Sequence, residues 1–236
     1  RVPEGFVITT VSYDDFVAAN QLAVAIREVV DGIAGSGSVD PAAAIAELFA
    51  DAPLPPASAE EILAAYARLG DQVPVAARSS ATAEDLAEAS FAGQQDTYLN
   101  VVGGQSLLTA VRDCWASLWS DRAISYRAAR HVDPEGLSLA VVVQRLVPAD
   151  AAGVMFTANP TNGRTEETVI TAAWGLGEAV VSGAVDTDTV VVADGRVLSR
   201  ETADKSIRID PLPAQAGTRT SRTPEHLRRA SVLDDT

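Results

Sequence analysis

The sequence contains a single cysteine, Cys114, and a single methionine, Met155, and aromatic residues make up only 5% of it. One cysteine excludes an internal disulfide and is typical of a reducing compartment, so we expect a cytoplasmic protein. No apolar run reaches the ~18 residues of a membrane-spanning helix. The first ten residues lack the apolar core of a signal peptide. We therefore predict a protein that does not enter a membrane.

Basic residues are also scarce. The sequence has 18 Lys and Arg against 32 Asp and Glu, and its formal net charge of −14 argues against nonspecific binding to nucleic acid. A site for an anion must therefore be local, built from a few arginines and backbone amides in an acidic molecule. Hydrophobic residues make up 47% of the sequence, which is typical of a globular protein with a buried core.

The composition changes along the chain. Residues 1–135 are predicted to form a helix-rich lobe with a phosphate-binding loop, and residues 136–211 a strand-rich lobe. Residues 212–236 have little periodicity and are predicted to be a linker or a truncated element. The predicted fold class is α+β, with a cleft between two lobes as the natural ligand site. Because the chain starts at Arg1 and its only methionine lies deep inside, we expect a fragment of a longer protein.

Two helix starts carry specific signals. Asp40 followed by Pro41 predicts a capped helix, because aspartate is a favoured N-cap and proline suits the first turn. Ser58 and Glu61 match a capping box for a helix over Ala59–Leu69.

Other elements are predicted from periodicity. The apolar spacing after Tyr13 predicts one helix that ends near Gly32. A later helix places Cys114 and Trp115 on its apolar side, where both are expected to be packing residues. In the second half, two β-branched runs around Ala193-Asp194-Gly195 predict a hairpin with a tight turn.

The segment 75–100 carries the main functional signal. Arg78 ends a short apolar run and is followed by Ser79, Ser80 and Thr82, then by a small-residue loop around Gly93 and by Thr97 on a predicted strand. A guanidinium offers a planar fork of donors for phosphate oxygens, hydroxyls add donors, and glycine admits backbone N–H groups. This pattern favours a site for a phosphorylated ligand.

Each signal also has a structural interpretation. Arg78 is equally compatible with a surface ion pair to Glu84 or Asp85, and the sequence around Gly93 with a polar loop between strands. This loop does not match the P-loop pattern, so nucleotide binding would require another fold.

Three further positions carry weaker signals. Gln144 ends an apolar strand, where its amide could pair with an adenine edge or begin a surface loop. The turn Trp174-Gly175-Leu176-Gly177-Glu178 is typical of a strand-to-helix connection, although Glu178 could face a metal. For Lys205, a phosphate contact competes with the more common solvated lysine.

Five long strings run over most of Val2–Asp210. They are RSSATAEDL at Arg78–Leu86, SFAGQQDTYLN at Ser90–Asn100, CWASLWSDRAISYR at Cys114–Arg127, GVMFTANP at Gly153–Pro160 and GLGEAVVSGAV at Gly175–Val185. In this order they resemble the nucleotide-binding domain of the phosphoenolpyruvate synthase, pyruvate phosphate dikinase and rifampicin phosphotransferase group. The resemblance implies a domain that is incomplete at both ends.

The resemblance implies an ATP-grasp-like fold that binds ATP and Mg²⁺ between two lobes. It implies that Arg78 contacts the nucleotide phosphates and serves catalysis, that Gly93 and Thr97 line the same pocket, and that Gln144 lies beside the adenine. It leaves the metal ligands unassigned. A phosphohistidine carrier domain and a substrate domain are expected elsewhere in the whole protein. The lysine-bearing, glycine-rich segment with which the family begins is not part of this sequence.

The function implied by the resemblance is transfer of the ATP β-phosphoryl group through a phosphohistidine to an acceptor such as pyruvate. Within the family, a rifampicin phosphotransferase is the alternative. From a different class, a non-catalytic nucleotide-binding paralogue and a ligand-free remnant are also compatible with the sequence. The fragment alone is expected to be inactive.

Overall fold

A computed structural model of the chain describes residues 2–32, 40–81, 97–130, 136–213 and 215–234. Gly93 lies outside these residues, as do Glu84 and Asp85. The chain forms two compact units. Unit 1 comprises Arg1–Leu146 with Ala214–Ala216, and unit 2 comprises Val147–Pro213 with Gly217–Thr236.

Unit 1 contains a four-stranded antiparallel sheet with helices packed against it. Its strands are β1 (Gly5–Ile8), β2 (Val75–Ala81), β3 (Thr97–Val101) and β4 (Leu139–Arg145), which lie side by side in the order β1-β4-β2-β3. Its helices are α1 (Thr10–Ala19), α2 (Leu22–Gly32), α3 (Pro41–Asp51), α4 (Pro56–Leu69), α5 (Gly104–Ser117) and α6 (Asp121–Arg130).

The core of unit 1 lies on one face of this sheet, which we call the inner face. Alternate residues of β4 and β2 are fully buried there and pack on α1 and α5. Each buried Val or Leu side chain contributes about 1.5–3 kcal/mol when it leaves water. A one-residue slip in the pairing would move all of these side chains to the other face of the sheet. The pairing of the strands is therefore set by this apolar set: Val75, Ala77, Leu139, Val141, Val143, Leu107, Val111, Trp115 and Phe16.

The predicted helix start at Asp40 is confirmed, and the capping box at Ser58 is wrong. Asp40 Oδ1 accepts hydrogen bonds from the backbone N–H groups of Ala42 (3.0 Å) and Ala43 (3.3 Å). Helix α4 instead begins at Pro56, so Ser58 already lies inside its first turn. The fixed φ of proline suits the first helical position and starts this helix without a side-chain cap.

The single helix predicted after Tyr13 is also wrong. The chain forms α1 and α2 with a break at Asn20 and Gln21. Asn20 Nδ2 donates to the carbonyl of Phe16 at 2.9 Å, and Gln21 has a φ of +54°. A side-chain amide that satisfies an end carbonyl, followed by a left-handed residue, ends a helix whatever the apolar spacing beyond it.

Buried polar side chains fix the helices to the sheet. The Tyr66 hydroxyl donates to the carbonyl of Val73 (2.7 Å) just before β2 and accepts from the N–H of Gly103 (3.0 Å) at the start of α5. Arg127 is buried, donates to the carbonyl of Leu118 at 2.6 Å and lies 4.9 Å from the ring of Trp119. Burial lowers the pKa of Arg127 to about 10.

The prediction that Cys114 and Trp115 are packing residues agrees with the structure, since both are buried in α5. Trp115 lies in an edge-to-face arrangement with the ring of Tyr13 at 6.0 Å between centroids, a geometry that favours aromatic packing.

Unit 2 is built mainly of strands. Strands β5 (Ala151–Phe156), β6 (Thr168–Trp174), β7 (Asp188–Ala193) and β8 (Arg196–Glu201) form an antiparallel sheet in that order. Asp194 and Gly195 between β7 and β8 have φ of +49° and +70°, as a tight hairpin turn requires, so the predicted hairpin is confirmed. The remaining elements are the paired strands β9 (Ile207–Pro211) and β10 (Thr218–Arg222) and the short helices α7 (Glu178–Val181) and α8 (Glu225–Arg228).

The structure differs from the expectation of a linker after residue 211. Strand β10 pairs with β9 from Thr218 opposite Pro211 to Arg222 opposite Ile207, and α8 follows. The sequence of β10 alternates Thr, Arg and Ser rather than apolar residues, so its pairing leaves no periodic apolar signal.

The predicted α+β class agrees with this mixture of helices and antiparallel sheets. Within the described ranges, no helix combines the length and apolar character needed to cross a membrane.

Candidate functional site

Arg78 and Thr97 lie directly opposite each other on β2 and β3. On its other side, Arg78 lies opposite Val142 of β4. Residues paired in this way project from the same face of an antiparallel sheet, with Cβ atoms about 4.5–5.5 Å apart. Arg78 and Thr97 are both exposed, and they therefore form an adjacent pair of donors on the face opposite the core, which we call the outer face.

Gln144 lies on the same outer face, two residues along β4 from Val142. It is opposite Ala76 of β2 and Gly5 of β1. It is thus a diagonal neighbour of Arg78, a relationship that corresponds to about 7–8 Å. The three predicted site residues of the described chain therefore share one face of one sheet.

The amide of Gln144 has a defined orientation. Its Nε2 donates to the carbonyl of Pro3 at 3.0 Å, and a carbonyl oxygen can only accept, so Oε1 must be the atom directed away from Pro3. Gly5 makes room for this arrangement, because a Cβ there would lie 3.3 Å from the Cβ of Gln144 and 2.4 Å from the carbonyl oxygen of Val143. The interpretation of Gln144 as the start of a surface loop is not supported, since it lies inside β4 and is half-buried.

The guanidinium of Arg78 belongs to an exposed side chain on the outer face. Among the described residues it forms no ion pair or hydrogen bond. The alternative partners Glu84 and Asp85, like the predicted loop residue Gly93, lie outside the described residues. Arg78 therefore presents its donors on the outer face together with the hydroxyl of Thr97.

A separate groove of about 410 Å³ lies in unit 1 between β1 and α4. Its polar lining includes Ser58, Glu61 and Arg68, and its floor is apolar. Arg78, Thr97 and Gln144 do not line it. Its single carboxylate and single guanidinium balance each other, so it lacks the concentration of donors that marks an anion site.

Metal ligands are not apparent in the described part of the chain. No group of three or more His, Cys, Asp or Glu side chains there is close enough to hold a metal ion. Glu178 is exposed at the start of α7, and Gly175-Leu176-Gly177 connects β6 to that helix as the sequence pattern predicts.

Comparison with known proteins shows the family of this chain. Residues 1–236 match the family model of the pyruvate phosphate dikinase AMP/ATP-binding domain. The chain belongs to this family.

Curated relatives of this AMP/ATP-binding domain carry two kinds of name. This chain is 41% identical over 241 residues to a rifampicin phosphotransferase of Streptomyces sp, and the match covers all of this chain and 27% of that protein. It is 41% identical over 246 residues to a probable phosphoenolpyruvate synthase of Methanocaldococcus jannaschii, covering 99% of this chain and 20% of that protein. It is 47% identical over 173 residues to a phosphoenolpyruvate synthase of Pyrococcus furiosus, covering 70% of this chain and 21% of that protein.

The AMP/ATP-binding domain therefore spans about a fifth to a quarter of the length of these relatives. Its membership in the family confirms the resemblance inferred from the five strings.

Lys205 of this AMP/ATP-binding domain is neither a phosphate contact nor a solvated lysine. It is the only lysine of the sequence, and its side chain is fully buried in unit 2, with Nζ 2.5 Å from Oδ1 of Asp188. Asp188 also accepts from the N–H groups of Ala203 (2.9 Å) and Val232 (2.8 Å). A buried cation must be paired. This ion pair joins β7 to the segment before β9, and the hydrogen bond from Val232 joins β7 to the C-terminal segment.

Sequence reasoning missed a second buried acid. Glu167 lies just before β6 and accepts hydrogen bonds from Arg164 (2.6 Å), Asn162 (3.1 Å) and Asn159 (2.6 Å). The hydrogen bond from Arg164 and those from the two asparagine amides lower the pKa of Glu167 to about 2. The cluster of Asn, Arg and Glu in the loop between β5 and β6 was the available signal, because Asn side chains stabilise turns.

Proposed function

We propose that this chain is the ATP-binding part of a dikinase-type phosphotransferase with an ATP-grasp-like fold. The observation that supports it best is the convergence of Arg78, Thr97 and Gln144 on the outer face of one sheet. A positive fork with a hydroxyl directly opposite it on one side and an oriented amide about 7–8 Å away on the other suits a ligand with a base at one end and phosphates at the other.

Arg78 binds the polyphosphate and neutralises charge as it develops during transfer. Phosphoryl transfer spreads negative charge over the transferred oxygens, so catalysis rests largely on positioning and electrostatic stabilisation. A guanidinium remains charged at every physiological pH and can contact two oxygens at once. Arg78 is for this reason the residue to which we assign a catalytic role.

Thr97 and Gln144 position the nucleotide. The Thr97 hydroxyl donates to a phosphate oxygen beside Arg78. Gln144 lies beside the adenine, and because its Nε2 is engaged by Pro3, its Oε1 is left to accept from an exocyclic amine. Gly93 is proposed to line the same pocket, on the resemblance alone.

Mg²⁺ commonly binds through one or two carboxylates together with substrate phosphates. The described residues offer no cluster of acids for such a site. Magnesium remains part of the proposal as a partner of the triphosphate, and no protein ligand is assigned to it.

In the whole protein, the proposed reaction consumes ATP and water. The β-phosphoryl group passes through a phosphohistidine on a separate carrier domain to an acceptor, the γ-phosphoryl group passes to water as inorganic phosphate, and AMP is released. Pyruvate is the acceptor suggested by the relatives named phosphoenolpyruvate synthase. A rifampicin-type antibiotic is the alternative acceptor, because the Streptomyces rifampicin phosphotransferase matches the whole of this chain.

Calorimetric titration of the chain with ATP and Mg²⁺ tests the binding step. Arg78→Ala is expected to weaken ATP binding roughly 10- to 150-fold, because one charge-assisted contact contributes about 1.5–3 kcal/mol. Arg68→Ala is the control, since Arg68 is an exposed arginine of α4 that lines the separate groove. Equal losses in both variants, or none in Arg78→Ala, would exclude the assigned role.

The transfer step requires the complete protein. Incubation with ATP labelled at the β-phosphate is expected to label a histidine, and added pyruvate or rifampicin should then remove the label from the protein. Label that stays in ATP while the nucleotide still binds would instead support a non-catalytic nucleotide-binding module.

A further inference from the structure

Strand β2 contains two consecutive serines that project from opposite faces. Ser79 lies opposite Val141, a fully buried residue of the inner face. Ser80 lies opposite Ala140 and, two residues after Arg78, projects from the outer face. The alternation of side chains along a strand therefore separates two hydroxyls that the sequence leaves equivalent.

Ser80 extends the line of donors on the outer face. Arg78 and Ser80 are two residues apart, which corresponds to about 7 Å along the strand. Ser80 lies opposite Ala140 of β4, and Ala140 is four residues from Gln144, which corresponds to about 14 Å. Ser80 and Gln144 are therefore about 14 Å apart along the strands. Arg78 thus lies between Gln144 at one end of the outer face and Ser80 at the other.

The described neighbour of Ser80 across the sheet is small and apolar. This neighbour is Ala140, with a methyl side chain. Among the described residues, no hydrogen bond to the Ser80 hydroxyl occurs, whereas Ser79 already has an interaction partner. Of the two serines, only Ser80 therefore has a hydroxyl that is directed at the outer face and forms no hydrogen bond with the described residues.

We propose that Ser80 Oγ donates a hydrogen bond to the terminal phosphate of the bound nucleoside triphosphate. This inference rests on the proposed function, with the base at Gln144 and Arg78 on the phosphates nearer the ribose. The separation of about 14 Å between the two ends suits an extended triphosphate and exceeds what a monophosphate spans. Ser80 is then a positioning residue that distinguishes ATP from ADP.

The experiment compares ATP and ADP binding by calorimetry in the wild-type chain, Ser80→Ala, Ser79→Ala and Ser80→Thr. Ser80→Ala should weaken ATP binding roughly 10-fold or more and leave ADP binding almost unchanged, so that the preference for ATP over ADP falls. Ser79→Ala should keep the wild-type preference. Ser80→Thr retains the hydroxyl and should also keep the wild-type preference for ATP over ADP. Melting temperatures check that each variant is folded.

The outcomes separate this inference from the function on which it rests. If the chain binds ATP in an Arg78-dependent way but Ser80→Ala keeps the wild-type ratio of ATP to ADP affinity, the role of Ser80 is wrong and the proposed function stands. An equal loss of ATP and ADP binding in Ser80→Ala also overturns it. If the wild-type chain binds neither nucleotide, the proposed function itself fails.

Discussion

Arg78 and Thr97 are directly opposed residues of two adjacent antiparallel strands. Their side chains share the face of the sheet opposite to the one that packs on α1 and α5. A guanidinium and a hydroxyl at this spacing can contact neighbouring oxygens of one phosphate chain. The pair therefore links the arrangement of the strands to the proposed recognition of ATP.

Replacing Thr97 by Val removes the hydroxyl and keeps the shape of the side chain. ATP binding should weaken roughly 10-fold or more, the effect of one hydrogen bond to a charged group, about 1.5–3 kcal/mol. Because Thr97 is exposed, stability should change by no more than about 0.5 kcal/mol.

Calorimetry and thermal melting together check this prediction, with Thr97→Ser as the variant that keeps the hydroxyl. A melting temperature several degrees lower with unchanged ATP affinity would make Thr97 a packing residue instead.

Gly175 and Gly177 form a matched pair of glycines in unit 2. Gly175 has a φ of +90°, and a Cβ there would lie 2.4 Å from the carbonyl oxygen of Ile209. Gly175→Ala should therefore cost at least about 1–3 kcal/mol. Gly177 has an ordinary helical φ of −63°, and its Cβ would meet Ala152 at 3.5 Å, so Gly177→Ala should be nearly neutral. Urea unfolding of the two variants measures the difference, and similar midpoints would contradict it.

The buried ion pair between Lys205 and Asp188 should stabilise unit 2 only as a pair. Lys205→Met leaves the Asp188 carboxylate buried without its cation and should cost about 3–5 kcal/mol. Adding Asp188→Asn removes that uncompensated charge, so the double variant should lose less than the sum of the single losses.

A double-mutant cycle by urea unfolding measures this coupling. Strict additivity of the two losses would mean that the backbone hydrogen bonds to Asp188, rather than its contact with Lys205, maintain this part of the structure.

Glu167 should make stability depend on pH in the acid range. Its pKa is lowered to about 2 in the folded chain from 4.5, so its contribution is complete above about pH 4.5 and is lost as the pH falls toward 2. The difference in melting temperature between the wild type and Glu167→Gln should be largest near pH 6 and shrink steadily below pH 4.5. A difference that stays constant from pH 6 to pH 3 would exclude this role.

Much of the secondary structure follows from local sequence. The Asp40-Pro41 start, the hairpin at Asp194-Gly195 and the packing of Cys114 depend on residues close together in the chain, so their patterns predict them correctly. The break at Asn20 and the start of α4 at Pro56 were missed because single side-chain and proline effects override periodicity there. Strand β10 was missed because it is defined by its partner β9 rather than by an apolar pattern.

The sequence by itself determined the family, the α+β class and the identity of the phosphate-binding candidates, since these depend on residue types and on short periodic patterns. Only the tertiary structure decided that Arg78, Thr97 and Gln144 share a face, that Ser80 joins them while Ser79 does not, and that Lys205 is buried against Asp188. Pairing between distant strands is set by the burial of alternate residues against helices from other parts of the chain. A side chain's face and partners therefore follow from long-range packing, which no local pattern specifies.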